Sequence, residues 1–400
     1  GGAMGFVGNL LKPLRSAKEY VLLPTEVKRE CQHDRAGLPD CDPGIDRAIG
    51  EAMAWLGRAQ DSSSTNDGGV ARHYSLIDGW GPSYPETTGY IIPTMLAYSH
   101  VKNDGVLSQR ARRMLDWLRA IQLPDGGFQA GTVDATPVVP TTFNTGQILL
   151  GLASGVQEFG DQYREPLRRA AEWLVKTQDS DGCWRKHPSP FAEPGEKAYE
   201  THVAWGLMEA ARVENSREYG EAALANVRWA LQQQQENGWF AKCCLSDPTQ
   251  PLTHTIGYVL RGIVEAYRFS KEPSFLQASR KTADALLSVL RADGFLPGRL
   301  DHQWHGTVSW ACLTGAVQIA HCWLLLFQET GDTRYREAAF AANRYVRRSM
   351  RLEGPPSVRG GIKGSFPVDG LYGTYEYLNW ACKFFVDSHM LEQKVRGSAQ

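Results

Sequence analysis

The sequence predicts an all-α fold, a single (α/α)6 toroid built from six pairs of outer and inner helices with its long loops on one face. Three observations predict it: six apolar stripes at helical spacing, a Trp that recurs at one place in four of them, and connections that alternate between short and long. A pattern that returns at a fixed interval along a whole chain is the signature of a repeat architecture. One closed ring of this kind accounts for the 400 residues without a second domain.

The outer helices are predicted by charged stripes that begin near residues 45, 106, 162, 217, 274 and 332. Charge on one face and apolar residues on the other are typical of helices that cover a core. Four stripes repeat a Trp followed five residues later by a Gln, at Trp55, Trp117, Trp173, Trp229 and at Gln60, Gln122, Gln178, Gln234. Since the same ring recurs in the same place, we interpret these four Trp as core residues.

The inner helices are predicted by less charged segments, which run from TTGYIIPTMLAYSH in the first repeat to YEYLNWACKFFVDSHML in the sixth. They contain small residues, which let backbones approach closely in a buried ring, at Gly89, Gly146, Gly151, Gly206, Gly257, Gly262 and Gly315. Connections into the outer helices are short, whereas those into the inner helices are long, at 60–85, 123–140, 179–197, 236–251, 292–306 and 351–373. Long loops in a compact domain are usually functional, so the end they share is the predicted mouth of the site.

We place the toroid at residues 42–392, between an N-terminal extension at 6–41 and a C-terminal tail at 393–400. Residues 1–5 are typical of a cloning remnant. An open solenoid of helical pairs is the alternative architecture. Cys31 and Cys41 could form a disulfide in an oxidising compartment, so the cytoplasm and the periplasm of a bacterium both remain open.

Composition excludes some partners. The 43 Lys and Arg are balanced by 44 Asp and Glu, whereas a nucleic-acid partner rewards a large excess of positive charge. No run of 18 apolar residues occurs, so no membrane span is predicted. No CxxC pair or other metal-ligand spacing stands out, so no metal or cofactor is predicted. The oligomeric state is left open.

Candidate catalytic residues lie at the predicted mouth. Glu86 and Glu200 begin two inner helices and Asp301 lies in the fifth long loop, so a pair of them could act as general acid and base on a glycosidic bond. Alternatively, a Tyr or His could remove a proton beside the carboxylate of a uronic acid, for which the candidates are Tyr199, His202, His254 and Tyr377. The structural alternatives are helix capping for the glutamates and burial in the core for the histidines.

Candidate substrate-binding residues surround the same mouth. Flat rings off the repeated core position could stack on sugar faces, and they are Trp80, Trp184, Trp239, Trp304, Trp310 and Tyr372. Polar and basic side chains could bind hydroxyl groups or an acidic sugar, and they are Asn144, Arg299, His305, Lys363 and Asn379. Anchoring of the loops is the alternative role for the rings, and solvated loop charge is the alternative for the basic residues.

Several long loops begin with a glycine-rich turn, at Asp125-Gly-Gly-Phe128, Asp181-Gly-Cys-Trp184, Asn237-Gly-Trp-Phe240 and Asp293-Gly-Phe295. This pattern resembles the repeats of terpene cyclases and of protein prenyltransferase β-subunits. The DxDD and DDxxD strings of the terpene enzymes are absent, and Val308 stands where the prenyltransferase pattern has a zinc-binding His. The resemblance therefore implies architecture, without that catalytic machinery.

The pattern and its polar, aromatic mouth also resemble the toroids of glycoside hydrolases, polysaccharide lyases and uronate epimerases. The segment SFPVDGLYGTYEYLNWACKFF is similar to toroid proteins associated with bacterial exopolysaccharide synthesis. These resemblances imply a carbohydrate-active enzyme that processes a polysaccharide or oligosaccharide, with acidic sugars favoured. A hydrolase with paired carboxylates ranks first and a uronate lyase or C5-epimerase second. A non-catalytic glycan-binding protein and a terpene cyclase-like enzyme are the further alternatives.

Overall fold

Twelve helices of the computed structural model, which describes residues 19–398, alternate between an outer and an inner ring. A further helix, α1 (Thr25–Arg35), precedes them. The outer helices are α2 (Ile45–Asp61), α4 (Gly105–Ile121), α6 (Arg164–Thr177), α8 (Arg217–Leu231), α10 (Pro273–Val289) and α12 (Thr333–Arg348). The inner helices are α3 (Pro85–Lys102), α5 (Thr142–Phe159), α7 (Thr201–Glu214), α9 (Thr253–Ser270), α11 (Leu313–Thr330) and α13 (Asn379–Gly397). The predicted all-α class with six helix pairs is confirmed.

The two ends of the chain close the ring. Each inner helix contacts the next one along the chain, and α13 contacts α3. Each outer helix from α4 onward packs mainly against the inner helix that precedes it across a short connection. The first outer helix, α2, has no such predecessor and packs against α13 instead. A closed toroid, and not the open solenoid, is therefore the observed architecture.

Neighbouring inner helices touch at the level of their backbones. A Cβ atom on Gly151 of α5 would lie 2.2 Å from the carbonyl oxygen of Gly89 in α3. A Cβ atom on Gly206 of α7 would lie 2.2 Å from the carbonyl oxygen of Gly146 in α5. No side chain fits at these positions, so the glycines set the small diameter of the inner ring.

In all four repeats that carry them, the repeated Trp packs in the core and the repeated Gln links its repeat to the next outer helix. Trp55, Trp117, Trp173 and Trp229 are all buried, which confirms the prediction that they are core residues. The Gln60 amide donates hydrogen bonds to the carbonyl oxygens of Gly68 and Arg110, so it ties its own loop to the next outer helix. The amides of the other three make the same kind of link to the next outer helix, at Gln122, Gln178 and Gln234.

The six long loops form a continuous rim on one face. Backbone hydrogen bonds join each loop to the next around the ring, from the amides of Val133, Thr142, Ala198, Thr253, Leu313 and Asn379. The loops also contain short strands, which are β1 (His73–Ser75), β2 (Gly79–Trp80), β3 (Ala311–Cys312), β4 (Ser365–Phe366) and β5 (Glu376–Leu378). β1 pairs antiparallel with β2 and β5, and β3 pairs antiparallel with β4. Pairing of β1 with β5 joins the first loop to the last and closes the rim.

The terminal segments are more structured than predicted. α1 of the N-terminal extension lies on the sixth loop, where Arg351 and Lys363 both bind Glu30. α13 continues to Gly397, five residues beyond the predicted end of the toroid, because Glu392 in its last turns is buried against Asn343. Residues 1–18 and 399–400 lie outside the described part of the chain.

All eight cysteines are free thiols. Cys31 is buried whereas Cys41 is exposed, so the disulfide considered for an oxidising compartment is not formed. Among residues 19–398, no helix combines the length and the hydropathy that a membrane span requires.

The backbone contact between α3 and α5 gives a test of the ring. Gly151→Ala should lower the free energy of unfolding by about 1–3 kcal/mol, because the new methyl group meets a backbone carbonyl that cannot rotate away. Gly105→Ala is the matched control, since nothing lies within 4 Å of a Cβ atom at that helical position. Urea unfolding of both variants measures the difference. Equal stability of the two would show that the inner helices are not in backbone contact.

Candidate active site

A cavity of about 270 Å³ opens at the centre of the rim. Aromatic rings form most of its wall, and they belong to Tyr84, Tyr90, Phe143, Phe191, Tyr199, Tyr258, Tyr372 and Trp380. Polar side chains also reach it between these rings, among them Arg72, Glu86, Asn144 and His254. The structure thus brings together five of the residues predicted from the sequence, namely Glu86, Asn144, Tyr199, His254 and Tyr372. We call this space the mouth cavity.

Glu86 and His254 lie on opposite walls of the mouth cavity. Glu86 is the second residue of α3 and His254 is the second residue of α9, the first and fourth of six inner helices. One helical turn deeper, the hydroxyl oxygens of Tyr90 and Tyr258 meet across the ring axis at 3.2 Å. The two tyrosines therefore form the floor of the cavity, with Glu86 and His254 facing each other above it.

Glu86 is a buried carboxyl group whose charge is only partly compensated. The Asn144 amide donates a hydrogen bond of 3.1 Å to its Oε2. Burial raises the pKa of Glu86 to about 7, although a hydrogen bond from Tyr84 and the charge of Arg72 act in the opposite direction. Arg72 itself is held by Glu376 at 2.8 Å and lies over the ring of Trp380. Glu86 can therefore give or take a proton near neutral pH.

His254 is buried and uncharged. Burial lowers its pKa to about 4, although its hydrogen bond with Gln318 acts in the opposite direction. The ring Nδ1 lies 2.7 Å from the Gln318 side-chain oxygen, which can only accept, so Nδ1 carries the hydrogen. This leaves the lone pair of Nε2, which has no hydrogen-bond partner within residues 19–398, available as a base.

Glu200 opens into a different space. It lines an adjoining cavity of about 220 Å³ together with Trp184 and Lys197. Burial raises the pKa of Glu200 to about 8, and its Oε2 has no partner among the described residues. A 3₁₀ turn at Ala198–Glu200 precedes α7 and directs Tyr199, not Glu200, towards the mouth cavity. Glu86 and Glu200, predicted as an acid–base pair, are thus not brought into one cavity.

His202 lies deeper than its counterpart His254. α7 begins beside the third turn of α9, where a Cβ atom on Gly262 would touch Thr201. This offset places the His202 ring against Tyr258, below the floor of the mouth cavity, with a hydrogen bond to Gln147. The prediction that His202 reaches the mouth is therefore corrected.

The predicted stacking tryptophans anchor loops instead. Trp184 and Trp239 are buried, and their indole N–H groups donate to the carbonyl oxygens of Leu174 and Leu300. Trp310 is buried as well, in a small cluster that includes Cys244, Leu252 and Cys312. Trp304 donates to the Asn237 carbonyl oxygen and Trp80 packs on Trp55, so neither ring lines the mouth cavity.

The polar candidates of the fifth loop form hydrogen bonds with other loop residues or are exposed to solvent. Asp301 accepts hydrogen bonds from the backbone N–H groups of Gln303 and His305. The His305 side chain is exposed to solvent. Arg299 donates to the Gln250 carbonyl oxygen and to Ser246. The structure places none of these three candidates in the mouth cavity.

The candidates Lys363, Tyr377 and Asn379 also lie outside the mouth cavity. Lys363 is buried and binds Glu30 and Asp34 at 2.5 and 2.7 Å. Tyr377 is buried in β5, and the Asn379 amide donates to the Ala71 carbonyl oxygen. Lys363 and Asn379 stabilise the rim, since their polar groups bind α1 and the first loop, and Tyr377 is not among the residues that line the mouth cavity.

A group with metal-ligand spacing does occur in the described part of the chain, at Glu30, His33 and Asp34. The ammonium group of Lys363 already lies between its two carboxylates. A cation supplied by the protein itself thus neutralises this cluster.

Tyr90 and Tyr258, which form the floor of the mouth cavity, were not predicted from the sequence. Tyr90 and Tyr258 follow Gly89 and Gly257, so a matching Gly-Tyr pair stands in two opposite inner helices. Each Tyr also comes four residues after a candidate catalytic residue, which is the spacing of neighbours on one helix face. These two signals together could have identified the floor.

Comparisons with known proteins agree with the architecture. The model of the family described as squalene-hopene cyclase C-terminal domain matches residues 71–264. A search of curated proteins gives no match. The repeat is therefore similar to that of terpene cyclases over nearly half of the chain, as the glycine turns indicated.

Solved structures resemble the whole ring. An unsaturated glucuronyl hydrolase specific for heparin matches with a TM-score of 0.71 and 16% identity, over 88% of this chain and 98% of the other. Cellobiose 2-epimerase from Bacillus thermoamylovorans B4167 matches with a TM-score of 0.68 and 11% identity, over 87% and 97%. A D-mannose isomerase matches with a TM-score of 0.66 and 12% identity, over 90% and 100%. At these identities the likeness shows the fold, a toroid that carbohydrate-processing enzymes share.

Burial of Glu86 predicts a pH-dependent cost to stability. A glutamate in the unfolded chain releases its proton near pH 4.5, but folded Glu86 holds it until about pH 7. The free energy of unfolding should therefore fall as pH rises from about 5 to 8, by up to about 3 kcal/mol relative to Glu86→Gln. Denaturant unfolding of both proteins over this range measures the difference.

The control for this experiment is Glu353→Gln, because the Glu353 side chain is exposed. That variant should follow the pH dependence of the unmodified protein. Parallel curves for the unmodified protein and Glu86→Gln would show that the Glu86 carboxyl is already ionised at pH 5.

Proposed function

We propose that this protein is a carbohydrate-active enzyme that inverts a carbon centre of a small sugar by proton transfer. The observation that carries the proposal is the placement of Glu86 and His254 on opposite walls above one floor. Two acid–base groups on opposite sides of a bound sugar reach opposite faces of the same carbon. This is the arrangement that an epimerase needs.

The proposed reaction acts on a carbon next to a carbonyl or carboxylate group. Neutral His254 takes the proton of this C–H bond through Nε2, and the bonding electron pair moves onto the adjacent oxygen. Protonated Glu86 then delivers its proton to the opposite face of the carbon, and the carbonyl group re-forms. The histidinium and the Glu86 carboxylate return to their starting forms by proton exchange with water.

Polar groups around Glu86 are suited to the charge that develops. Arg72 and Asn144 line the cavity beside Glu86 and can donate hydrogen bonds to an enolate oxygen. Tyr84 and Tyr372 line the same cavity. Donors held in place before the reaction are the usual source of such stabilisation.

Cavity size favours a small substrate. About 270 Å³ lies just below the range of roughly 300–1,000 Å³ typical of ligand pockets. A monosaccharide, a disaccharide or the end of a longer chain fits this space better than the interior of a polysaccharide. The proposal therefore narrows the polysaccharide substrate expected from the sequence to a short sugar or a chain end.

A glycoside hydrolase is the second candidate. The pKa of Glu86 near 7 suits a general acid that protonates a leaving group. Such an enzyme also needs a second carboxylate across the bond, and Glu200 lines the adjoining cavity instead. A uronate lyase would use His254 as its base, as the epimerase does, but would form a different product.

The terpene cyclase alternative draws support from the aromatic wall and the buried acid of the mouth cavity. Arg72, Asn144 and His254 reach the same space, however. A hydrocarbon would leave Nε2 of His254, which has no hydrogen-bond partner within residues 19–398, unpaired, and a sugar hydroxyl group would satisfy it. A sugar is therefore the better ligand.

Deuterium exchange tests the proposal directly. Incubation of the protein in deuterated water with glucose, mannose, cellobiose or a glucuronate-ended disaccharide should introduce deuterium at one carbon of one sugar. NMR follows both the exchange and the appearance of the epimer. Glu86→Gln and His254→Asn should each slow it by about 10²- to 10⁴-fold. His305→Asn, which changes an exposed histidine outside the cavity, should retain full exchange.

Other outcomes identify the alternatives. Cleavage of the disaccharide without exchange would favour the hydrolase, and a product that absorbs near 235 nm, a general property of unsaturated uronates, would favour the lyase. Saturable sugar binding without turnover would favour a glycan-binding protein. Conversion of a linear isoprenoid by the unmodified protein but not by Glu86→Gln would favour the cyclase.

A further inference from the structure

A second, larger cavity of about 510 Å³ opens at the other end of the ring. The inner helices line it, and Arg261, His321 and Lys383 are among the residues that reach it. Tyr90, Tyr258 and Phe384 fill the axis between the two ends. We call this space the rear cavity.

Ion pairs neutralise the outer part of the rear cavity. Lys271 binds Glu329 at 3.2 Å, and Arg212 binds Glu209. Both pairs lie near the C-terminal ends of their helices, where the helix dipole also favours positive charge. The outer charges therefore need no ligand.

Arg261 lies deeper and is not neutralised in this way. Its side chain is only 13% exposed, and its guanidinium group lies over the Trp205 ring at 4.1 Å. Its Nε contacts Glu265 at 3.3 Å, but Glu265 is bound more closely by Arg268 at 2.6 Å. The two terminal amino groups of Arg261 have no acceptor within residues 19–398. Among the described residues, Glu265 therefore engages only Nε of Arg261, and the two terminal amino groups remain free to donate into the rear cavity.

His321 is a second unpartnered group in the same wall. Its side chain is nine-tenths buried, and neither ring nitrogen has a hydrogen-bond partner in the described part of the chain. Burial and the nearby charges of Arg261, Lys383 and Arg268 lower the pKa of His321, so the ring is neutral. A neutral imidazole offers one donor and one acceptor, which is the pair that a hydroxyl group satisfies.

Two further polar groups lie across from these residues. Ser154 and Gln157 line the rear cavity from α5, one turn apart, and their side chains make no hydrogen bond within residues 19–398. They add hydroxyl and amide groups to the free donors and acceptors of Arg261 and His321.

We infer that the rear cavity binds a small anionic sugar, a polyhydroxylated molecule that carries a carboxylate or phosphate group. The oxyanion accepts hydrogen bonds from the terminal amino groups of Arg261. The planar guanidinium group can bind two oxygen atoms at once, and the Trp205 ring orients it. The hydroxyl groups of the sugar pair with His321, Ser154 and Gln157. A neutral sugar would gain less from Arg261, which shares its only carboxylate partner among the described residues, Glu265, with Arg268.

Binding at this end is separate from the reaction proposed for the mouth cavity. Tyr90 and Tyr258 close the axis between the two, and no residue lines both cavities. The rear cavity can therefore hold its ligand whether or not the mouth cavity turns over a substrate.

Calorimetric titration of the whole protein tests the inference, with glucuronate, glucose 6-phosphate, inorganic phosphate and glucose as the probes. At least one of the two anionic sugars should bind at a site that depends on Arg261, and glucose and inorganic phosphate should each bind that site at least tenfold more weakly. Arg261→Met should raise the Kd of that sugar at least tenfold. Arg217→Met, which changes an exposed arginine on α8, and Glu86→Gln should leave it unchanged.

A second measurement uses the unmodified protein in case Arg261→Met fails to fold. The ring ¹⁵N NMR signals of His321 should shift when the anionic sugar is added and should not shift with glucose. Loss of binding in Glu86→Gln would place the ligand in the mouth cavity and overturn the inference. Unchanged His321 signals, an equal shift of these signals by glucose, or inorganic phosphate that binds as tightly as the sugar phosphate would overturn it as well.

Discussion

Backbone contact between neighbouring inner helices is the constraint on which the rest of this structure depends. Gly89 against Gly151, and Gly146 against Gly206, leave no space for a side chain between the helices. The ring they form is narrow enough for two tyrosines on opposite helices to meet across its axis. Its centre is therefore packed, and the remaining space is divided between a mouth cavity and a rear cavity.

The narrow ring also sets the chemistry of the groups that point into it. Burial raises the pKa of Glu86 and lowers that of His254, since it disfavours the charged form of both groups. One becomes an acid able to hold its proton near neutral pH, and the other becomes a neutral base. Arg261 cannot lose its charge in the same way, and it keeps an ion pair with Glu265 at the rear cavity.

The loops hold the site in place, whereas most of its polar groups come from the helices. Trp239 and Trp304 use their indole N–H groups to hold neighbouring loop segments together, and Trp184 ties its loop to α6. Lys363 is similarly committed to two carboxylates of α1. Most of the polar groups that face the mouth cavity come instead from the first turns of inner helices, where the backbone is rigid. A stable rim thus fixes a cavity whose chemistry belongs to the helices beneath it.

The sequence by itself determined the repeat, the alternation of rings, the buried Trp positions and the end of the barrel that carries the mouth, because these follow from local periodicity. It also predicted Glu86 and His254, since both stand at the start of an inner helix. Only the tertiary structure decided that His202 lies below the floor and that Glu200 opens into another cavity. Those outcomes depend on the offset of α7 along the ring axis, which arises from packing against α9 and leaves no local pattern in the sequence.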